Sequence, residues 1–214
     1  MTLAELISRC RSEAVDVTEP YLWSDPEWTT WLNEAENEAC IRARLIEDEA
    51  IVAAVTSGDA HIAIPPRAFA VTRVAISGVG KLELVDRHGL DLSESRNWQD
   101  ETGDPRRAYR SGNTLRLFPI PITDSTAIVT AFCTPDGSME DADDEPQIDS
   151  RLHHSMVEWA LRCAYRKQDV DTFDPAAADR HEAEFARVFG LRPDEVAIRR
   201  TRISSRRRTT PQFC

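Results

Sequence analysis

Apolar residues early in the chain recur at spacings of three and four. Trp28, Trp31, Leu32, Ala35, Ala39, Ala43 and Ile46 form one stripe, which is the period of an amphipathic helix. The opposite face carries Glu34, Asn37, Glu38, Arg44 and Asp48, and Glu38 and Arg42 are spaced as a favourable i,i+4 pair. Ser24 and Glu27 make an S-x-x-E capping box, and Pro26 falls in the first turn, where its missing N–H costs little. The pattern predicts a helix from about 25 to about 50, with Ala35, Ala39 and Ala43 small enough for a neighbouring helix to approach closely. A shorter amphipathic helix is predicted in "MTLAELISRCRSE". Glu5 and Arg9 break its apolar run, so it does not read as a secretory signal.

Between 51 and 134 the grammar changes to short strands and turns. "IVAAVTSGDAHIAIP" reads strand, turn, strand, and "AVTRVAISGVGKLELVD" reads strand, Gly turn, strand. "NTLRLFP" alternates, and "STAIVTAFCTP" is β-branched and apolar. Residues 86–112 are polar, with Trp98 and Tyr109 as isolated anchors, and read as a long loop with one helical turn. "PDGSMEDADDEPQ", 135–147, reads as an exposed acidic linker. The helical period then returns. Leu152, Met156, Trp159, Ala160 and Cys163 line one face over about 148–168. A last helix spans about 174–189, with Asp174 as N-cap, Pro175 at N1 and Gly190 as its stop; Ala178, His181, Phe185 and Phe189 are its buried side.

The expected fold class is α+β. Residues 1–50 and 148–190 would close a discontinuous helical bundle, with Trp28, Trp31, Leu32, Trp159 and Phe185 in its core. Residues 51–134 would be an inserted antiparallel β-module, 135–147 the linker, and 191–214 an extended C-terminal arm.

Charge adds one asymmetry. The net charge of the 214 residues is −11. Residues 190–214 carry seven arginines against Asp194 and Glu195, so an acidic body precedes a basic tail. Three readings of Arg199, Arg200, Arg202, Arg206, Arg207 and Arg208 stand side by side: a solvated end, phosphate contacts to nucleic acid, or docking on an acidic protein surface. No apolar run is long enough to span a bilayer.

Candidate chemistry is sparse. The five cysteines, Cys10, Cys40, Cys133, Cys163 and Cys214, are far apart and form no CxxC, which argues against a disulfide scaffold or structural zinc. His154 and Glu158 are four apart on a helix, but there is no HExxH and no third ligand fixed by spacing. His181, Glu182 and Glu184 read as surface and edge positions. No G-x-S-x-G is present, and "SGVG" at 77–80 lacks the Lys of a phosphate loop. Asp141, Asp143, Asp144 and Glu145 lack the EF-hand ligand order. The expectation is a protein that is not an enzyme and has no cofactor or metal.

The order of pieces resembles a family. W-S-D-x-E-x-x-x-W-L-N-E-A at 23–35, I-P-P-R-A-F at 64–69 and A-L-R-C-A-Y-R-K-Q-D at 160–169 are similar to tailed-bacteriophage head-to-tail adaptor (connector, or head completion) proteins. The resemblance covers about 3–190 and rests on packing and turn positions. It implies a structural virion protein of the neck, assembled in the host cytoplasm. Twelve copies would form a ring between the portal protein and a tail or nozzle protein. DNA would pass through the channel without specific binding, with no membrane involved. The six tail arginines would be a portal-docking arm, and the Glu34/Glu38 face would meet a neighbour's arginines. The alternative is a cytoplasmic nucleic-acid-binding regulatory protein that uses the same Arg-rich tail.

Overall fold

The computed structural model describes residues 1–94, 97–168 and 172–194. The fold is α+β, with five α-helices among the described residues. The chain divides into two compact units, the first built from Met1–Ile46 and Cys133–Arg192.

In the first unit, α1 (Leu3–Glu13) starts at a complete capping box between Thr2 and Glu5 and buries Leu3, Leu6 and Cys10. α2 (Asp25–Ala43) starts at Ser24. Here the Ser24 backbone N–H and hydroxyl both donate to Glu27 Oε2, at 2.9 and 2.8 Å. The carboxylate, rather than the hydroxyl, is therefore the principal acceptor at this cap. Trp23 precedes the cap and packs edge-on against Trp28, ring centroids 5.4 Å apart, as a hydrophobic staple.

α2 is shorter than its periodicity predicts. Arg44 adopts φ 54°, ψ 53° and stops it, and Ile46 opens a strand instead of extending the stripe. Ala43 is consequently exposed. Past this point the burial alternates, with Ile51, Ala53 and Val55 inward, so a period of two wins over the helical one.

α4 (His153–Arg166) follows a 3₁₀ turn at Ser150–Leu152, and α5 (Pro175–Phe189) starts at Asp174, whose side chain accepts the Ala177 N–H. α4 packs against α1, α2 and α5. Leu6, Trp23, Trp28, Leu32, Met156 and Leu161 belong to one buried cluster, and Ala39, Phe185 and Phe189 to a second. Trp31 and Trp159 pack against these clusters only half-buried.

The acidic stretch after Cys133 is part of this unit rather than a solvated linker. Met139 and Ile148 are buried in the main cluster. The Asn33 side chain brackets Met139, accepting its N–H at 2.8 Å and donating to its carbonyl at 2.9 Å. The Leu3 and Ala4 N–H groups, unpaired at a helix start, donate to the carbonyls of Asp144 and Ala142.

The second unit holds Glu47–Phe132. Its strands are β1 (Ile46–Val55), β2 (His61–Ala63), β3 (Ala68–Ile76), β4 (Gly80–Lys81), β5 (Glu83–Leu84), β6 (Arg107–Ser111), β7 (Thr114–Phe118) and β8 (Ser125–Cys133). They form two four-stranded sheets, ordered β1-β8-β3-β4 and β2-β7-β6-β5. The module is mixed rather than purely antiparallel, because β5 runs parallel to β6. β6 and the helix α3 (Arg87–Ser93) fall inside the predicted loop. Trp98 and Tyr109 are not isolated. With Leu90 and Phe118 they make a small core, and the Trp98 indole N–H donates to Asp91 at 3.0 Å.

Candidate functional site

Of the core residues predicted for the helical unit, Trp28, Leu32 and Phe185 are fully buried, while Trp31 and Trp159 are half-buried. Arg199, Arg200, Arg202, Arg206, Arg207 and Arg208 lie outside the described residues. The sequence reading missed Trp23, although the aromatic pair flanking the capping box, five residues apart, is the staple signal that marks it.

The densest polar feature joins α2, α4 and α5. Arg42 Nε donates to Glu38 at 2.8 Å and a terminal nitrogen donates to Glu182 at 2.8 Å. Its other terminal nitrogen reaches the Gly190 carbonyl at 3.3 Å. Arg162 meets the same Glu182 at 2.5 Å and lies over the Trp159 ring, 4.2 Å from its centroid. Burial alone would push the Arg42 guanidinium down; its hydrogen bonds to Glu38 and Glu182 outweigh that and hold it above its ordinary value. Glu38 is therefore a buried internal partner and not part of an outward face that awaits a neighbour's arginine. Glu34 is exposed and lies 3.9 Å from the Cys163 thiol.

His153 is buried, and its Nε2 lies 2.9 Å from the Ile148 carbonyl. His154 is exposed. Glu158 pairs with His181 at 2.8 Å rather than with His154, and the His181 ring stacks on Tyr165. The spacing-based pair His154/Glu158 thus dissolves, because α5 supplies a better-placed partner.

A polar recess of about 160 Å³ is lined by Glu36, Gly137, Ser138, Met139, Asp144, Glu145 and Gln147. Glu36 is 2% exposed and accepts the Gln147 N–H at 2.5 Å. Burial pushes its carboxyl up, against the two backbone N–H groups that favour the anion. Asp144 Oδ2 is committed to the N–H groups of Glu140 and Asp141, both at 2.8 Å. The recess is lined by three carboxyl side chains and by no Lys, Arg or His. Among the described residues, no group of three or more His, Cys, Asp or Glu is placed to hold a metal ion. Three of the thiols are held in the protonated form: burial pushes Cys40 up to about 12, Cys163 up to about 11, and Cys10 higher still. No described helix is long and apolar enough to cross a membrane.

Within the first unit, Arg42, Arg162, Glu38 and Glu182 join the chain's own helices, and the fold they hold is α+β. The chain belongs to the SU10 adaptor protein family, whose pattern it matches over residues 1–211. This is a family of bacteriophage head-to-tail adaptors, structural proteins of the virion neck that associate with portal and tail components. No curated protein matches the chain.

The three motifs that carry the likeness are packing devices. Trp23, Ser24 and Glu27 build the start of α2, and Asn33 clamps Met139. Arg67 pairs with Asp48 at 2.5 Å in the second unit. Tyr165 and Lys167 return to the start of α2, where Tyr165 meets Trp23 and Lys167 bonds Glu27 at 2.6 Å.

Proposed function

We propose that this chain acts without catalysis, as a ring of copies seated between portal and tail around the DNA channel. The observation that carries the reading is the family match, which runs through both units and nearly the whole chain. The first unit is the bundle scaffold of each copy, and the Arg-rich stretch that includes Arg199–Arg208 is the arm that docks on acidic surface of the portal. Arginine suits that task, since its planar fork binds carboxylates bidentately. The net charge of −11 supports passage of DNA, because an acidic wall does not hold a polyanion.

The test uses the full chain and a truncation lacking residues 199–214, each mixed with the portal. The truncated chain should keep the helical signal of the described fold and lose attachment. Equal attachment refutes the arm. Salt-dependent DNA binding by the full chain, lost on truncation, would favour the nucleic-acid alternative. Electron microscopy of particles carrying a labelled chain tests the position in the neck.

A further inference from the structure

The edge of a sheet can take on a further strand. Three of the four edges in the second unit are short: β4 and β5 have two residues each and β2 has three. The fourth is β1, with ten residues, and β8 is its one sheet neighbour among the described strands. The Ala50 N–H donates to the Asp48 side chain at 3.1 Å. An amide in the ladder would be used by β8, so this one faces the open edge. By strand alternation those of Val52 and Ala54 face the same way. Val52 is 70% exposed, Ala54 is exposed, and β1 contains no Lys, Arg or Pro that would blunt the edge. Its charges are Glu47, Asp48 and Glu49. Asp48 pairs with Arg67. Among the described residues, Glu47 accepts only the Thr72 hydroxyl, at 3.4 Å, and Glu49 pairs with no cation.

The basic stretch departs from beside the start of this strand. Leu45 packs on the cluster of Ala39, Phe185 and Phe189. Arg42 reaches the Gly190 carbonyl at 3.3 Å, and Arg192 lies 3.7 Å from Glu38. The end of α5 is thus held against the end of α2, where β1 begins. Past Asp194 the chain continues as EVAIRRTRI, residues 195–203. Val196, Ile198, Thr201 and Ile203 are β-branched, Arg199, Arg200 and Arg202 are cationic, and no Gly or Pro interrupts them. Extended, these residues span about 30 Å, which matches the length of β1. Their arginines are the opposite charges that Glu47 and Glu49 lack, and Val52 gives their β-branched residues a cross-strand neighbour. A separate chain would have to be recruited to the edge, whereas this segment is tethered at its start and so has a high effective concentration there.

The geometry points to an added strand: residues 195–203 pair along the open edge of β1 in their own chain, with the arginines set against Glu47 and Glu49. The contact covers the long edge and withholds the arm until an acidic portal surface displaces it. This rests on the reading of the arm as a portal-docking element.

The test follows amide hydrogen exchange over residues 46–55 in the full chain, alone and with the portal. The Val52 and Ala54 amides should be protected at every chain concentration and should lose that protection on the portal. Ile198→Pro should abolish the protection without touching the described fold. Arg199→Glu, Arg200→Glu and Arg202→Glu together should abolish it too, as should Glu47→Lys with Glu49→Lys, and combining the two charge reversals should restore it. Equal exchange in the unaltered and Ile198→Pro chains overturns the added strand and leaves the portal reading standing. Protection that grows with chain concentration assigns the edge to a second copy, and protection that appears only with the portal assigns it to a portal strand; either overturns the inference. Protection that persists on the portal overturns the displacement. Undiminished portal attachment of the arginine-reversed chain overturns the docking-arm reading and leaves the added strand standing on its exchange.

Discussion

Arg42→Ala is the sharpest probe of how the first unit is held. The Arg42 side chain is 5% exposed and serves Glu38 on its own helix and Glu182 on α5. Its guanidinium also lies 5.1 Å from the ring centroids of both Trp159 and Phe185. Removing it leaves Glu182 with Arg162, but it deprives Glu38, itself only 7% exposed, of its close partner. Arg192, at 3.7 Å and largely exposed, is a weak substitute. Breaking a buried pair by deleting one member costs about 3–5 kcal/mol, most of it the penalty of the orphaned charge. Urea unfolding followed by tryptophan fluorescence reads this directly, since Trp23, Trp28, Trp31 and Trp159 all belong to this unit. Adding Glu38→Ala to Arg42→Ala removes the orphan, so the double variant should be no less stable than Arg42→Ala alone. A cost below about 1 kcal/mol for Arg42→Ala, or strict additivity in the pair, would refute the reasoning.

Two further outcomes follow from the same packing. Trp28→Ala, at a fully buried ring, should cost about 3–5 kcal/mol; Trp31→Ala, half-buried and edge-on to Trp28 at 5.2 Å, should cost distinctly less by the same measurement. Equal losses would show that Trp31 is covered. Glu27 is held down at about 2, first by its hydrogen bond to Lys167 and then by the Ser24 N–H. Its folded value is below its unfolded one of 4.5, so its stabilisation is present above pH 4.5 and is lost as pH falls toward 2. Glu27→Gln should flatten stability over that window by about 1 kcal/mol, the modest figure reflecting the partial exposure of both partners; an unchanged acid profile would count against the bond.

Helix starts were legible because they are local. The Ser24/Glu27 capping box, Pro26, Asp174 and Pro175 act on backbone groups within one turn, and Gly190 stops α5 at φ 84° in the same way. The switch from a period of 3.6 to a period of 2 located most strands, since each side chain's direction follows from its own backbone. The end of α2 was less legible, because helical periodicity can persist in sequence beyond the residue where Arg44 turns left-handed. The family likeness was legible too, as it rests on these same capping and packing positions.

The sequence by itself thus determined most of the element types, the main apolar faces and the family. Only the tertiary structure decided which polar residues are internal. Glu36 and His153 look like surface residues in the sequence, and each is buried with a partner from a distant segment, Gln147 and Met1, whereas Glu38 and Asp16 are buried with partners close in the chain, Arg42 and Arg11. The parallel pairing of β5 with β6 and the incorporation of Met139 into the helical core belong to the same class. Desolvation and pairing depend on neighbours far along the chain, and no local pattern encodes who those neighbours are.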